Sequence, residues 1–165
     1  MIVKAPNKYK KDSKLAIFLA GSIDEGKAVN WQEKIAKHFD GNDNILLLNP
    51  RRDDWDSSWK QEMGDKQFTE QVNWELDGME TADLIALVLT KDSKAPISLL
   101  ELGIHVDSKK LIVFCEEGFY RKGNVDIVCD RHKVDQVESI DDILDILDIK
   151  LKGRNEINEN LNRFA

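Results

Sequence analysis

Four uninterrupted apolar runs of strand length constrain this chain more than any other feature: LAIFLA at 15–20, ILLLN at 45–49, LIALVLT at 84–90 and LIVFC at 111–115. A strand with one solvated face alternates apolar and polar residues, whereas a strand covered on both faces reads as a continuous apolar run. Between these runs lie segments long enough for a helix, over 27–39, 68–80 and after Pro96. Successive βα units of this kind imply right-handed crossovers and a parallel sheet. The expected fold is α/β: a flavodoxin-like (Rossmann-like) open, mainly parallel sheet of about five strands with helices on both faces. The basic residues 1–14 supply either an edge strand or a lead-in. Residues 116–134 read as a loop ending in a short strand at 126–129. A helix is expected over 140–147. The tail from Lys150 is polar apart from Leu151, Ile157, Leu161 and Phe164, and the spacings of four and three in the last trio suggest an amphipathic terminal helix.

With 165 residues and 41% apolar content, the chain suits one domain spanning 1–165. The net charge of −7 disfavours nucleic-acid polymers, which are held through phosphate contacts, and fits small-molecule partners, small phosphorylated ones included. No apolar run reaches ~18 residues and no signal-peptide core opens the chain, so a cytoplasmic protein with no membrane partner is expected. Cys115 and Cys129 lack metal spacing, and Cys115, ending an apolar strand, reads as a buried free thiol. With no metal constellation and no dinucleotide fingerprint, no cofactor is expected. His38 reads as a surface residue, His132 as a loop residue, His105 as a helix-packing residue and Asp83 as a cap on the turn into the third strand.

Ligands of open parallel sheets sit at the carboxyl ends of the strands. That rim takes in Gly21, Ser22 and Ile23, the stretch from Asn49 to Trp55, and residues 91–101. The Gly-Ser-Ile turn either serves only the bend or offers N–H groups to an anion or sugar hydroxyl. The stretch NPRRDDWDSSWKQEMGD lacks helix or strand periodicity. It is either a surface loop pinned by Trp55 and Trp59 or a substrate lid in which an aromatic ring stacks on a planar group and Asp54 or Arg52 hydrogen-bonds it.

Two acids stand out. Around the 68–80 helix, Phe68, Val72, Leu76 and Met79 form one stripe, and Glu75 falls inside it while Asp77 points away. An unpaired buried carboxylate is costly, so Glu75 requires a reason. Glu101, following Pro96, is expected in the first turn of the next helix, where the dipole favours the ionised form, with Ser98 and His105 on the same polar side. One protonated and one ionised acid would suit general-acid and nucleophile roles in glycoside chemistry. The structural alternative is that each pairs with an Arg or Lys.

AIFLAGSI, WELDGMETADLIALVL and LLELG, in this order, resemble the nucleoside 2-deoxyribosyltransferases and their relatives, the 2′-deoxynucleoside 5′-phosphate N-hydrolases. NPRRDDWD is similar to the divergent branch called nucleoside 2-deoxyribosyltransferase-like, and the resemblance covers residues 15–134. It implies an enzyme cleaving or transferring at the N-glycosidic bond of 2′-deoxyribonucleosides or their 5′-phosphates. Glu101, in Glu-Leu-Gly, would be the nucleophile, and Glu75, usually an aspartate, the acid assisting at the base. Gly21, Ser22 and Ile23 would approach the sugar or 5′ group. Asn124 would reach the 5′ end in a neighbouring subunit's site, implying a homo-oligomer, a dimer or higher. Two positions depart from the pattern: Phe18 stands where a tyrosine is common, and Ala95 where transferases carry an acid, with Asp92 on the same loop. These departures leave room for a non-catalytic nucleotide-derivative binding or sensing module. The substrate-binding set therefore comprises Gly21, Ser22, Ile23, Phe18, Asn49, Arg52, Asp54, Trp55, Ser98 and Asn124.

Overall fold

The computed structural model describes residues 1–23, 30–53, 56 and 58–163, with side chains described as far as residue 158. The elements run β1 (Ile2–Lys4), β2 (Leu15–Gly21), α1 (Trp31–His38), β3 (Ile45–Asn49), α2 (Lys66–Thr81), β4 (Leu84–Leu89), α3 (Pro96–His105), β5 (Leu111–Cys115), α4 (Lys122–His132), β6 (Asp135–Val137) and α5 (Ile140–Arg163). All strand pairings are parallel, in the order β1-β3-β2-β4-β5-β6. Without β1 this is the flavodoxin-like order, so the open α/β sheet is confirmed, with six strands rather than five. The basic N-terminal stretch supplies the added edge strand, registered on β3 through Ile2 against Leu47.

The continuous apolar runs are covered on both sides. Ala16, Phe18, Ala20, Leu46, Leu48, Ile85 and Leu87 meet α2, α3 and α4 on one face. Leu15, Ile17, Leu19, Leu47, Ala86 and Val88 meet α1 and α5 on the other. The chain order reverses between β2 and β4, so a topological switch point opens at their carboxyl ends, where such sheets bind ligands.

Several elements differ from expectation. Residues 126–129 are helical, inside α4. Val125 and Cys129, four apart, bury one face of that helix while Ile127 is exposed, a helical period that a short apolar run conceals. The strand comes later, as β6, after Lys133 ends α4 in a left-handed conformation. The helix expected over 140–147 continues without a break into the tail, because Ile143, Leu144, Leu147 and Leu151 carry one buried stripe onward and no proline interrupts it. In α2 the buried face is Gln71, Trp74, Gly78 and Met79, and Leu76 lies outside. Gly78 sets this rotation, since a Cβ there would stand 2.8 Å from the buried Phe18 ring. The helix expected over 27–39 is described from Trp31, with Asn30 accepting the Glu33 N–H as its cap.

At the amino end of the sheet, Asp83 accepts the Ala16 N–H at 2.9 Å and pairs with Lys11 and Arg154, joining β2, the N-terminal segment and α5. Among the described residues no helix is long and apolar enough to cross a membrane.

Candidate functional site

The switch point is built on Gly21. Its φ of +137° is one that L side chains rarely adopt, and a Cβ would stand 2.1 Å from the Val88 carbonyl oxygen. With glycine there, β2 closes against β4, and Ser22 donates its N–H to Val88 at 2.8 Å. The Ser22 hydroxyl accepts the Thr90 N–H at 3.0 Å, and its carbonyl accepts the Trp31 indole N–H at 3.1 Å. Fully buried, Ser22 thus holds the exits of β2 and β4 together, and Ile23 follows, partly exposed.

Helices α2 and α3 both pack on β2 over this crevice. Glu75 sits on the inward half of α2, and its Oε1 accepts a hydrogen bond from Gln71 Nε2 at 2.7 Å. Burial pushes the Glu75 carboxyl up to about 7, and the Gln71 hydrogen bond pulls against that rise. Glu101 is 8% exposed. Burial pushes its carboxyl up to about 8, with the negative charge of Glu75 adding to the rise, so the two acids lie within electrostatic reach of each other. Among the described residues no Arg or Lys is recorded as an ion-pair partner of either acid, and no cation is named among the causes of their shifts.

The expected setting of Glu101 is corrected here. Pro96 is the first residue of α3, which places Glu101 in the second turn, and the first turn holds no acid. The helix-end field falls off within one turn, so burial dominates and the acid favours its neutral form. Two facing acids of this kind titrate as a pair, holding one proton between them near neutral pH. The Glu101 value already contains the repulsion of a charged Glu75. Both carboxyls stand well above the usual carboxylate range, so near neutral pH one of the pair can carry a proton while the other is ionised.

Ser98 and His105 share the buried side of α3 with Glu101 and Leu102, while Ile97, Leu100 and Ile104 face outward at 55–60% exposure. Burial, with the nearby Lys110 charge, lowers the affinity of His105 for a proton. Phe18 is wholly buried, its ring 6.1 Å from that of Trp74. Ala95 adopts a left-handed conformation at the start of α3, and Asp92 is exposed.

Asn49 ends β3 buried, its Oδ1 accepting the Arg51 N–H at 3.0 Å. The Arg52 guanidinium lies over the Trp59 ring, 4.8 Å from its centre, and 3.9 Å from Glu70. Asp54 and Trp55 lie outside the described residues. Asn124 is exposed in the first turn of α4, one turn before the exposed Ile127. Among the described residues no group of three His, Cys, Asp or Glu side chains could hold a metal ion.

One residue escaped sequence reasoning. Gln71 is 4% exposed, and its Nε2 donates both to Glu75 and to the Pro50 carbonyl at 2.9 Å. Its position four residues before Glu75, hence on the same helix face, is the signal that could have found it.

The family model described as nucleoside 2-deoxyribosyltransferase-like matches residues 14–119. The chain belongs to that family. The match gives it a nucleoside deoxyribosyltransferase-like function in general terms and takes in β2, β3, α2, β4 and α3, hence both acids. It stops short of α4 and Asn124. No curated protein matches the chain. In this nucleoside 2-deoxyribosyltransferase-like protein Phe18, on β2, offers no hydroxyl to the acids.

Proposed function

We propose that the protein cleaves or transfers at the N-glycosidic bond of 2′-deoxyribonucleosides or their 5′-phosphates. The observation that carries this reading is the pair of acids, half-buried Glu75 and buried Glu101, both with raised carboxyls and within electrostatic reach of each other beside the switch point of the sheet. The Glu101 carboxylate attacks C1′ as the C1′–N bond breaks, and the departing base takes its proton from Glu75 at a ring nitrogen. The sugar is left as an ester of Glu101. A second base or a water then attacks C1′, giving its proton to Glu75 and releasing Glu101 as carboxylate. Residues of the β2 turn, Asn49 and Ser98 line the substrate's path, and no cofactor takes part.

The test is incubation with deoxyribonucleosides or their 5′-phosphates and a second free base, with products separated by chromatography. Base exchange is expected for transfer, and free deoxyribose or its phosphate for hydrolysis; neither product from any common substrate would defeat the reading. Because the reaction needs one acid protonated and one ionised, kcat/KM is expected to peak between about pH 7 and 8 and to fall on both sides. A profile flat from pH 5 to 9 would exclude the pair from the chemistry.

Phe18 and Ala95 favour a second reading, a nucleotide-derivative binding module on the same fold, in which ligand raises the melting temperature with no turnover. Under either reading a second copy of the chain is proposed to cover the outward face of α3. Ile97, Leu100 and Ile104 form an apolar stripe there, and the exposed Asn124 and Ile127 lie on α4 of the same sheet face. Leu100→Lys is expected to convert the oligomer to monomer in sedimentation; a wild-type protein that is monomeric at micromolar concentration would refute the assembly.

A further inference from the structure

Gln71 carries a polar atom that the protein leaves unused. Both described donations from its amide come from Nε2, to the Pro50 carbonyl at 2.9 Å and to Glu75 Oε1 at 2.7 Å. Its Oε1 is buried and has no partner among the described residues. The orientation of the amide is settled by Pro50: a carbonyl only accepts, so the group facing it must be the NH2. Buried acceptors are seldom left empty, because an unmet one forfeits its hydration without return.

The same bonds place the proton of Glu75. Its Oε1 is committed as an acceptor to Gln71, so when the acid is neutral the hydrogen resides on Oε2. One end of the group thus offers a donor, Glu75 Oε2–H, and the adjoining amide offers an acceptor, Gln71 Oε1. The complement is a base edge with an acceptor nitrogen beside an N–H donor. Adenine presents it at N7 and the 6-amino group, where a glutamine's bidentate pairing with that edge is familiar, whereas guanine and hypoxanthine set an oxygen beside N7. Opposite Gln71 Oε1, that oxygen would bring acceptor against acceptor.

We infer that Gln71 is a specificity-determining residue, selecting nucleobases that carry an exocyclic amino group next to the ring nitrogen that takes the Glu75 proton. This rests on the glycosidic reading above and deepens it by naming the class of base. Adenine and cytosine belong to that class; hypoxanthine, guanine and uracil do not.

The experiment compares kcat/KM for 2′-deoxyadenosine, purine 2′-deoxyriboside and 2′-deoxyinosine, or their 5′-phosphates, which differ in the group at position 6 and, for the oxo compound, in the N1 hydrogen that goes with it. Amino is expected to exceed unsubstituted, and unsubstituted to exceed oxo, with about 10- to 100-fold between the extremes, the cost of one unmet or opposed buried hydrogen bond. In Gln71→Met the amino-to-oxo ratio should fall to within about threefold of one. Loss of a purely structural glutamine would lower all three rates together and leave the ratio in place. The substrate series on the unaltered protein decides the matter even if the variant does not fold. Turnover with equal rates, or with oxo preferred, overturns the role of Gln71 and leaves the glycosidic chemistry standing. Absence of turnover on every substrate overturns the glycosidic reading, and the assignment with it.

Discussion

Replacing Glu101 by glutamine is expected to abolish glycosidic turnover, by about a thousandfold or more, and at the same time to make the protein more stable at pH 8. The loss follows because glutamine cannot form the sugar ester on which the proposed two-step route depends. The gain follows from burial. A carboxyl whose value rises from 4.5 in the unfolded chain to about 8 in the folded one binds its proton more tightly when folded. That contribution to stability is fully present below about pH 4.5 and is lost as pH rises toward 8, so the wild-type protein bears the cost of a buried charge in alkaline solution. Glutamine carries no charge to bury, although its amide still requires partners. A net gain of about 2 kcal/mol is expected, or roughly 4–8 °C in melting temperature for a chain of this length. At pH 4 the two proteins should melt together. Retained ligand binding, seen as a ligand-induced rise in melting temperature, would confirm that the site survives. Undiminished turnover would remove Glu101 as nucleophile, and a variant less stable than wild type at pH 8 would contradict the burial argument.

That prediction rests on a correction, which shows where sequence reasoning reaches and where it stops. The continuous runs 15–20, 45–49, 84–90 and 111–115 identified the central strands, because burial on both faces leaves a signature independent of neighbours. Glu75 was legible as an unusual acid, since a carboxylate on an inward helix side is a local anomaly, whereas Glu101 was read on the polar side of its helix and singled out by its place after Pro96. Their protonation was not legible. It depends on where α3 begins, and Pro96 at its first position moves Glu101 out of the helix-end field. Nor was the rotation of α2, because Leu76 and Trp74 both suit an inward position. The choice falls to Gly78, which lets the helix approach Phe18, a residue far away in the chain. The 126–129 segment failed for a related reason: four residues cannot separate a period of 2 from one of 3.6, and only the burial of Val125 with Cys129 decides. Gln71 was hidden because its importance lies in one unpartnered oxygen, a property of the packed structure rather than of the residue type.

Gly21→Ala is expected to be the most disruptive single-methyl substitution in the chain, costing about 3–5 kcal/mol and about 10 °C or more in melting temperature. Two penalties coincide. The backbone there has a φ of +137°, a value that an L side chain rarely adopts, and the added Cβ would stand 2.1 Å from a backbone oxygen of β4, with the Val88 nitrogen at 2.8 Å. A clash with a flexible side chain can relax by rotation, but this one is with the backbone of a central strand, paired on its far side with β5. Relief requires β2 and β4 to part at their carboxyl ends. That movement would break the Ser22-to-Val88 and Thr90-to-Ser22 hydrogen bonds, so the crevice would lose its form before the sheet as a whole unfolds. The variant should therefore lose turnover at temperatures where circular dichroism still reports a folded sheet. Gly103→Ala is the control, because a Cβ at that helical position meets nothing within 4 Å. It should leave stability unchanged or raise it by roughly 0.5–1 kcal/mol through helix propensity. Equal melting temperatures for the two variants would mean that β2 and β4 are not held together through Gly21, and the switch point would lose its structural basis as the site.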